Sequence, residues 1–451
     1  MSSNSSILLE NARLLDPASG LDATGYVWVR EGKIAAVAAG EFNQGRLATD
    51  LGALARLDDL WRIDARGFWL TPGLVDIHVH LREPGDEHKE TIATGTMAAA
   101  AGGFTAVACM PNTRPINDSP EVTRLIMAAA VGAAARVYPV GSISLGGRGE
   151  TLAPFGEMRR AGVRALSDDG RPVSDSQLMR RALEYAGDHR LLVISHAEEA
   201  SLSRNGVMNE GIVSTRLGLR GIPRVAEEIM VYRDLALAQY TGRPLHIAHV
   251  STAEAVDLIR RAKSQGVSIT AETAPHYFTL TEEAVGLYDT MAKMNPPLRT
   301  ATDVAAIRAA LADGTLDAVA TDHAPHSGLE KELEFDLAAN GIIGLESAVP
   351  LTLVLVREGL ITPLRLVELL SRNPAGILGV PGGQLAVGEP ADLTLIDPQR
   401  RFIFRPENNQ SRSQNSPFSA WEMEGKAVLT IMDGRITWRD PGDPQFKIGH
   451  C

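Results

Sequence analysis

Cysteine is nearly missing: the 451 residues contain two, Cys109 after an apolar run and Cys451 at the last position. Two thiols so placed give no disulfide framework and no cysteine-based zinc site. Both read as inert, the terminal one being open to oxidation. Positive charge is also short. Lys and Arg total 44 against 55 Asp and Glu, a net charge of −11, and no basic stripe stands out. That argues against a nucleic-acid binder. No apolar run approaches the length needed to cross a bilayer. The N-terminus, MSSNSSILLENARLLDP, lacks a basic region followed by an apolar core, so no signal peptide and a cytoplasmic setting are expected.

What is present suits a large globular protein. Hydrophobic residues make up 44%, enough for one large domain and a minor one. Both ends alternate in the strand manner: SILLENARLLD and GYVWVREGKIAAVA near the start, then ADLTLIDP, RFIF and KAVLTIMDGRITWRD near the finish. Asp433-Gly434 marks a hairpin. A small composite β-domain, sandwich-like, is therefore expected from residues 1–70 and 385–451. Residues 46–60 read as a short helical insertion, and 406-PENNQSRSQNSPF-418 as a loop over the β-domain.

Residues 71–384 have another rhythm. Strand-length apolar runs recur: GLVDIHV, FTAVACM, RVYPVGSI, VRALS, LLVIS, PLHIAHV, VSITAET and LDAVAT. Helix-like segments separate them, among them 175-DSQLMRRALEYAG-187 and 252-TAEAVDLIRRAKSQG-266, the latter with Ser251 as its expected N-cap. Eight strand–helix units predict an α/β fold, a (β/α)8 TIM barrel. No nucleotide-binding glycine pattern follows the first strand, against a Rossmann domain.

A barrel works at the C-terminal ends of its strands. His78 and His80 end the first run, two apart and so on one face. His196 follows the fifth, His249 ends the sixth, Asp322 follows the eighth, and Asp168 and Asp169 follow the fourth. Taken singly, each has an ordinary explanation as a hydrogen-bonded core histidine or a capping aspartate. Taken together they converge on one mouth. The donors are nitrogen and oxygen, which suits zinc or a similar divalent ion. Six ligands exceed what one catalytic zinc takes, so two ions bridged by a carboxylate and a hydroxide are expected. His88 and His189 read as solvated, and His246 as facing away from His249. His276 and His323 read as packing or supporting groups, and His450 as part of the tail.

The run 72-PGLVDIHVHLREPG-85 resembles the first-strand signature of the dihydroorotases, in the cyclic amidohydrolase group of the amidohydrolase superfamily. So do 110-MPNT-113, 166-LSDDG-170, 195-SHAEE-199, 248-AHVST-252, 272-ETAPH-276, 294-MNPPLR-299, 321-TDHAPH-326 and 411-SRSQNSPF-418, in the same order along nearly the whole chain. The resemblance implies a bacterial-type enzyme using two Zn2+. His78, His80 and Asp322 would hold the first, and His196 and His249 the second. Asp169, rather than Asp168, would bridge them where many relatives use a carbamylated lysine. It implies Arg82, Asn112, Asn295, His326, Asn340 and Gly341 as substrate contacts, the last two through backbone. At Asn340 the chain departs from the aromatic residue common before that glycine. It implies reversible hydrolysis of (S)-dihydroorotate to N-carbamoyl-L-aspartate in pyrimidine synthesis, with Asp322 as the general acid and base. It also implies a homo-oligomer, with aspartate transcarbamoylase as a partner. The competing readings are a hydantoinase, dihydropyrimidinase or allantoinase, and a non-catalytic subunit supporting aspartate transcarbamoylase. Arg82 favours a substrate bearing a carboxylate.

Overall fold

The computed structural model describes residues 6–42, 60–442 and 449–450. Among these, eight parallel strands lie side by side in chain order: Leu74–Val79, Phe104–Cys109, Arg136–Gly141, Ala165–Leu166, Leu192–Ser195, Leu245–Ile247, Ile269–Thr273 and Ala318–Val319. Each falls within one of the eight apolar runs. The runs are continuous rather than alternating because both faces of a barrel strand are covered. Leu74–Val79 and Phe104–Cys109 are buried at every position. The circle closes where the His80 N–H donates to the His323 carbonyl at 2.8 Å, beside a parallel bridge between Val79 and His323. The expected TIM barrel is the observed architecture.

Helices cover the outside. Ser176–Asp188 starts at Asp175, whose carboxylate accepts from the backbone of Gln177 and Leu178. The helix expected after Ser251 begins one residue later, at Ala253–Ser264, with Thr252 as the cap accepting from the Ala255 N–H at 3.3 Å. Ser251 is occupied elsewhere: its N–H and hydroxyl both donate to Glu227, and the hydroxyl accepts from Arg299.

The two chain ends form a second, largely antiparallel sheet. Ser6–Asp16 pairs antiparallel with Leu21–Arg30 and parallel with both Leu60–Asp64 and Trp69–Pro72. Trp69–Pro72 carries on to Leu393–Ile403, Glu422–Met432 and Arg435–Arg439. Alternate residues of these strands, including Leu9, Val27, Leu70, Leu393 and Leu429, meet in a core separate from that of the barrel. Asp433 and Gly434 form the hairpin turn with φ of 50° and 71°, the paired positive angles that a two-residue turn of this hand requires. Of the expected helical insertion at 46–60, all but Leu60 lies outside the described residues, and Leu60 opens a strand.

One segment lies elsewhere than expected. The stretch 406–418 reaches the barrel mouth instead of covering the end sheet. The Ser411 hydroxyl donates to Glu90 at 2.5 Å, the Ser413 hydroxyl to the Lys89 carbonyl at 2.7 Å, and the Asn415 amide to the Ala324 carbonyl at 2.9 Å. Its serines and asparagine look like turn-formers in the sequence. In place, they satisfy buried oxygens of the mouth loops. Among the described residues no helix is long and apolar enough to cross a membrane.

Candidate active site

The first strand leaves the barrel with His78 fully buried and His80 nearly so. Asp76, two residues earlier, accepts from the backbone N–H groups of His78 and Thr321, which ties the first strand end to the eighth. Asp322 is thereby set opposite, its Oδ1 3.1 Å from His80 Nε2 and 3.6 Å from His78 Nε2. Asp169 stands among four imidazoles. Its Oδ1 is 3.4 Å from His78 Nε2, 3.5 Å from His196 Nδ1 and 3.6 Å from His249 Nε2, while its Oδ2 is 3.5 Å from His80 Nε2. His196 Nδ1 and His249 Nε2 are 2.8 Å apart. His78, His80 and Asp322 form one group able to hold a metal ion, and His78, Asp169 and His249 a second.

Asp168 is used differently. Its Oδ1 accepts from the Ser142 hydroxyl and the Ile143 and Ser144 N–H groups, and its Oδ2 from the Ser144 hydroxyl. It fixes the loop after the third strand, and its neighbour is the one that faces the histidines. Burial opposes charge on both Asp169 and Asp322. The imidazoles outweigh it, His78 foremost for Asp169 and His80 for Asp322, and both carboxyls sit below the ordinary range. The backbone is strained in the same place. His249 and Asp322 have φ of 34° and 49°, and Arg82 has 62°, angles that side-chain-bearing residues seldom adopt.

Several supporting residues escaped the sequence reading. Glu272 receives His78 Nδ1 at 2.8 Å on one oxygen and His246 Nε2 at 3.1 Å on the other. Burial opposes its charge, but the two imidazoles pull its carboxyl down to about 2. A carboxylate behind a ligating histidine fixes which ring nitrogen faces the metal. His246 is thus joined to His78 through Glu272, two hydrogen bonds away, rather than facing away from the candidate ligands. The period-two count fails because the strand ends at Ile247 and the chain turns before His249. Glu198 takes the same place behind His196, 3.1 Å from Nε2. The signal for both was their position, Glu272 at a strand end and Glu198 two residues past a ligand-type histidine.

The six expected substrate contacts gather at the same mouth. Asn112 Oδ1 is 2.8 Å from His80 Nδ1 and its amide donates to Asp169 at 3.3 Å, so it braces ligand-type residues. Asn295 donates to Glu198 at 2.6 Å and has its Oδ1 buried without a partner. Arg82 is half-buried and does not pair with Glu83 or Glu87. Its Nε donates to the Pro325 carbonyl at 3.1 Å and its Nη2 is 3.2 Å from His326 Nε2. His326 Nε2 is also 2.8 Å from the Asn340 carbonyl. One ring nitrogen either accepts from Arg82 or donates to Asn340. The Asn340 carbonyl faces His326, while the Gly341 N–H donates to the Lys293 carbonyl at 2.9 Å and the Gly341 carbonyl accepts from Lys331 and Asn415.

A cavity of about 310 Å3 is lined by Arg82, Lys89, Asn112, Asp169 and Arg171. Two larger grooves, of about 1080 and 760 Å3, contain none of the ligand-type residues. Chemistry rather than volume identifies the mouth. The other histidines are peripheral or structural. His88 is exposed and His189 packs edge-on against Tyr185. His323 accepts from the Gly344 N–H at 3.1 Å. His276 is buried with a partnerless Nε2, and burial pushes its pKa down to about 4. His450 carries no described side chain. Cys109 is buried, which pushes its thiol up to about 12.

Comparison with known proteins places this geometry. Residues 67–255 match the family described as dihydro-orotase-like, and residues 224–438 match the amidohydrolase family. A dihydroorotase of Desulfotalea psychrophila is 56% identical, covering 96% of this chain and 99% of its own. One from Syntrophotalea carbinolica is 55% identical over the same shares. Among solved structures, an L-hydantoinase of Arthrobacter aurescens superposes with a TM-score of 0.83 at 24% identity, over 96% of each chain. With relatives more than half identical along nearly its full length, the chain belongs to the dihydroorotase family of amidohydrolases.

Proposed function

We propose that this chain is a zinc-dependent dihydroorotase, opening (S)-dihydroorotate reversibly to N-carbamoyl-L-aspartate in de novo pyrimidine synthesis. The observation that carries it is one mouth in which five residues able to group around metal, with His196 beside Asp169 and His249, stand next to a guanidinium aimed at an imidazole. The family, at more than half identity, supports the substrate. Residues 71–384 are taken as the catalytic barrel, and 1–70 with 385–451 as the composite β-domain.

The residues present fit metal. His78 Nε2 is buried without a hydrogen-bond partner, and the donors around it converge from five strand ends. We assign His78, His80 and Asp322 to one zinc, His196 and His249 to the other, and Asp169 as the bridge. When bound, the zinc ions supply a water nucleophile ionised near neutral pH and polarise the scissile carbonyl.

This chain's residues do the rest. Arg82 grips the substrate carboxylate, its Nε already fixed by Pro325, with His326 supporting the same end. Asn112, Asn295 and the main chain at Asn340 and Gly341 surround the ring. Asp322 takes the proton of the attacking water on its carboxylate and delivers it to the departing ring nitrogen. Run backwards, the same groups close the ring. By the same family reasoning we place the enzyme in the cytoplasm as a homo-oligomer, with aspartate transcarbamoylase as candidate partner.

The test is to offer the purified protein dihydroorotate, hydantoin, dihydrouracil and allantoin, before and after chelation and with zinc restored. The expected result is turnover of dihydroorotate that chelation abolishes and zinc restores. Turnover surviving complete metal removal overturns the mechanism. Preference for hydantoin, dihydrouracil or allantoin assigns another cyclic amide, and inertness toward all four assigns a supporting subunit.

A further inference from the structure

We propose that Asn415, outside the barrel in sequence, is a positioning residue that sets the spacing of the two loops holding the substrate. The proposal rests on the assignment of Arg82, His326 and the Asn340–Gly341 turn to substrate binding. Asn415 is buried, and all of its side chain is engaged. Its Oδ1 accepts from the His326 N–H at 3.0 Å. Its Nδ2 donates to the carbonyls of Ala324 at 2.9 Å and Gly341 at 3.0 Å. Its own carbonyl accepts from the Ile343 N–H at 2.9 Å. One carboxamide thus joins the loop after the eighth strand to the turn at 340–341. An amide is the fitting group, since it offers an acceptor to an N–H and two donors to two carbonyls at once.

The joint holds the loops unusually close. Gly341 has φ 123°, and a Cβ there would lie 2.6 Å from the Ala324 Cβ and 3.4 Å from His326 Nε2. From the other side the buried Lys331 ammonium donates to the carbonyls of Ala339 at 2.8 Å and Gly341 at 3.1 Å. Lys331 therefore fixes the turn itself, whereas Asn415 spans turn and loop with its side chain, beside the backbone bond from the Ala324 N–H to the Ile342 carbonyl at 2.8 Å. The backbone bond holds the segments at Ala324 and Ile342, and the carboxamide extends the joint to His326, whose ring lies 2.8 Å from the Asn340 carbonyl. With the joint broken, His326 and Arg82 lose their register and the carboxylate is gripped less well, while the groups that move the proton stay in place.

Asn415→Ala and Asn415→Asp test it. The aspartate keeps the acceptor for His326 and turns an oxygen toward two carbonyls, so it isolates the donor role. Ser413→Ala is the control, because Ser413 docks the same segment on the Lys89 carbonyl without touching either loop. For both Asn415 variants, KM for dihydroorotate is expected to rise about tenfold or more, with kcat within about threefold and zinc content unchanged. Ser413→Ala should leave KM within about twofold. Amide hydrogen exchange at 322–326 and 340–343 should quicken in the Asn415 variants and not in the control. That arm reads the joint even if dihydroorotate proves not to be the substrate. An unchanged KM for Asn415→Ala, or unchanged exchange in those two segments, overturns the proposal. Equal losses of kcat with lost zinc also overturn it, since they mark general unfolding of the mouth.

Discussion

At the scale of the residue, the two neighbouring aspartates show how alike letters acquire unlike roles. Asp168 has its oxygens filled by two serines and two backbone N–H groups, whereas Asp169 faces four imidazole nitrogens. The residues alone left both open and only the family resemblance favoured Asp169, because neither letter carries the loop that saturates one of them. Asp322→Asn removes the group assigned to the proton and is expected to lower kcat by about 10²–10⁴-fold. Arg82→Ala removes the guanidinium proposed to grip the substrate carboxylate and should raise KM on the order of 10–100-fold with kcat nearly kept. Steady-state kinetics in both directions checks the pair. An Arg82→Ala enzyme with unchanged KM would count against the carboxylate role.

At the scale of the element, legibility followed from what each pattern reports. All eight barrel strands were readable because doubly covered strands leave continuous apolar runs. The hairpin at Asp433-Gly434 was readable because few residues accept its backbone angles. Tertiary hydrogen bonds were not readable, and each error traces to one. Ser251 looked like a cap, but Glu227 and Arg299 claim it, and Thr252 caps Ala253–Ser264 instead. His246 seemed to face elsewhere, but Glu272 draws it toward His78. Loop 406–418 was polar and so read as surface, yet its polar groups are spent on buried oxygens. Thr252→Ala should destabilise the protein by about 1 kcal/mol, the usual worth of such a cap, in chemical denaturation.

At the scale of the whole molecule, the junction between mouth and C-terminal segment carries a pH signature. Glu346 accepts from the Gln410 N–H at 2.7 Å. Burial is the main influence on its carboxyl, which is pushed up from 4.5 to about 8. Between those values the folded protein keeps a proton that the unfolded chain releases. This contribution to stability is therefore complete below about pH 4.5 and is lost as the pH climbs toward 8. Glu346→Gln keeps the acceptor and removes the titration. The variant should match the parent near pH 4 and exceed it by about 1–2 kcal/mol near pH 8.5, the full linkage being discounted for partial exposure. Thermal melts of both proteins across that range decide the matter. A variant no more stable than the parent at the alkaline end would remove Glu346 from the explanation.

The composite end sheet has a consequence for biosynthesis. Ser6–Asp16 leaves the ribosome well before the C-terminal strands of its sheet. Through Trp69–Pro72 it shares a sheet with Leu393–Ile403 and Glu422–Met432. Trp69–Pro72 thus waits for a partner made more than 320 residues later, and such distant pairing is slow to form. The clamp on the mouth, Asn415, emerges in the same late stretch. A chain whose synthesis stops early therefore lacks both its sheet and its finished mouth. Synthesis has to pass Glu422–Met432 before the mouth and the sheet are both finished.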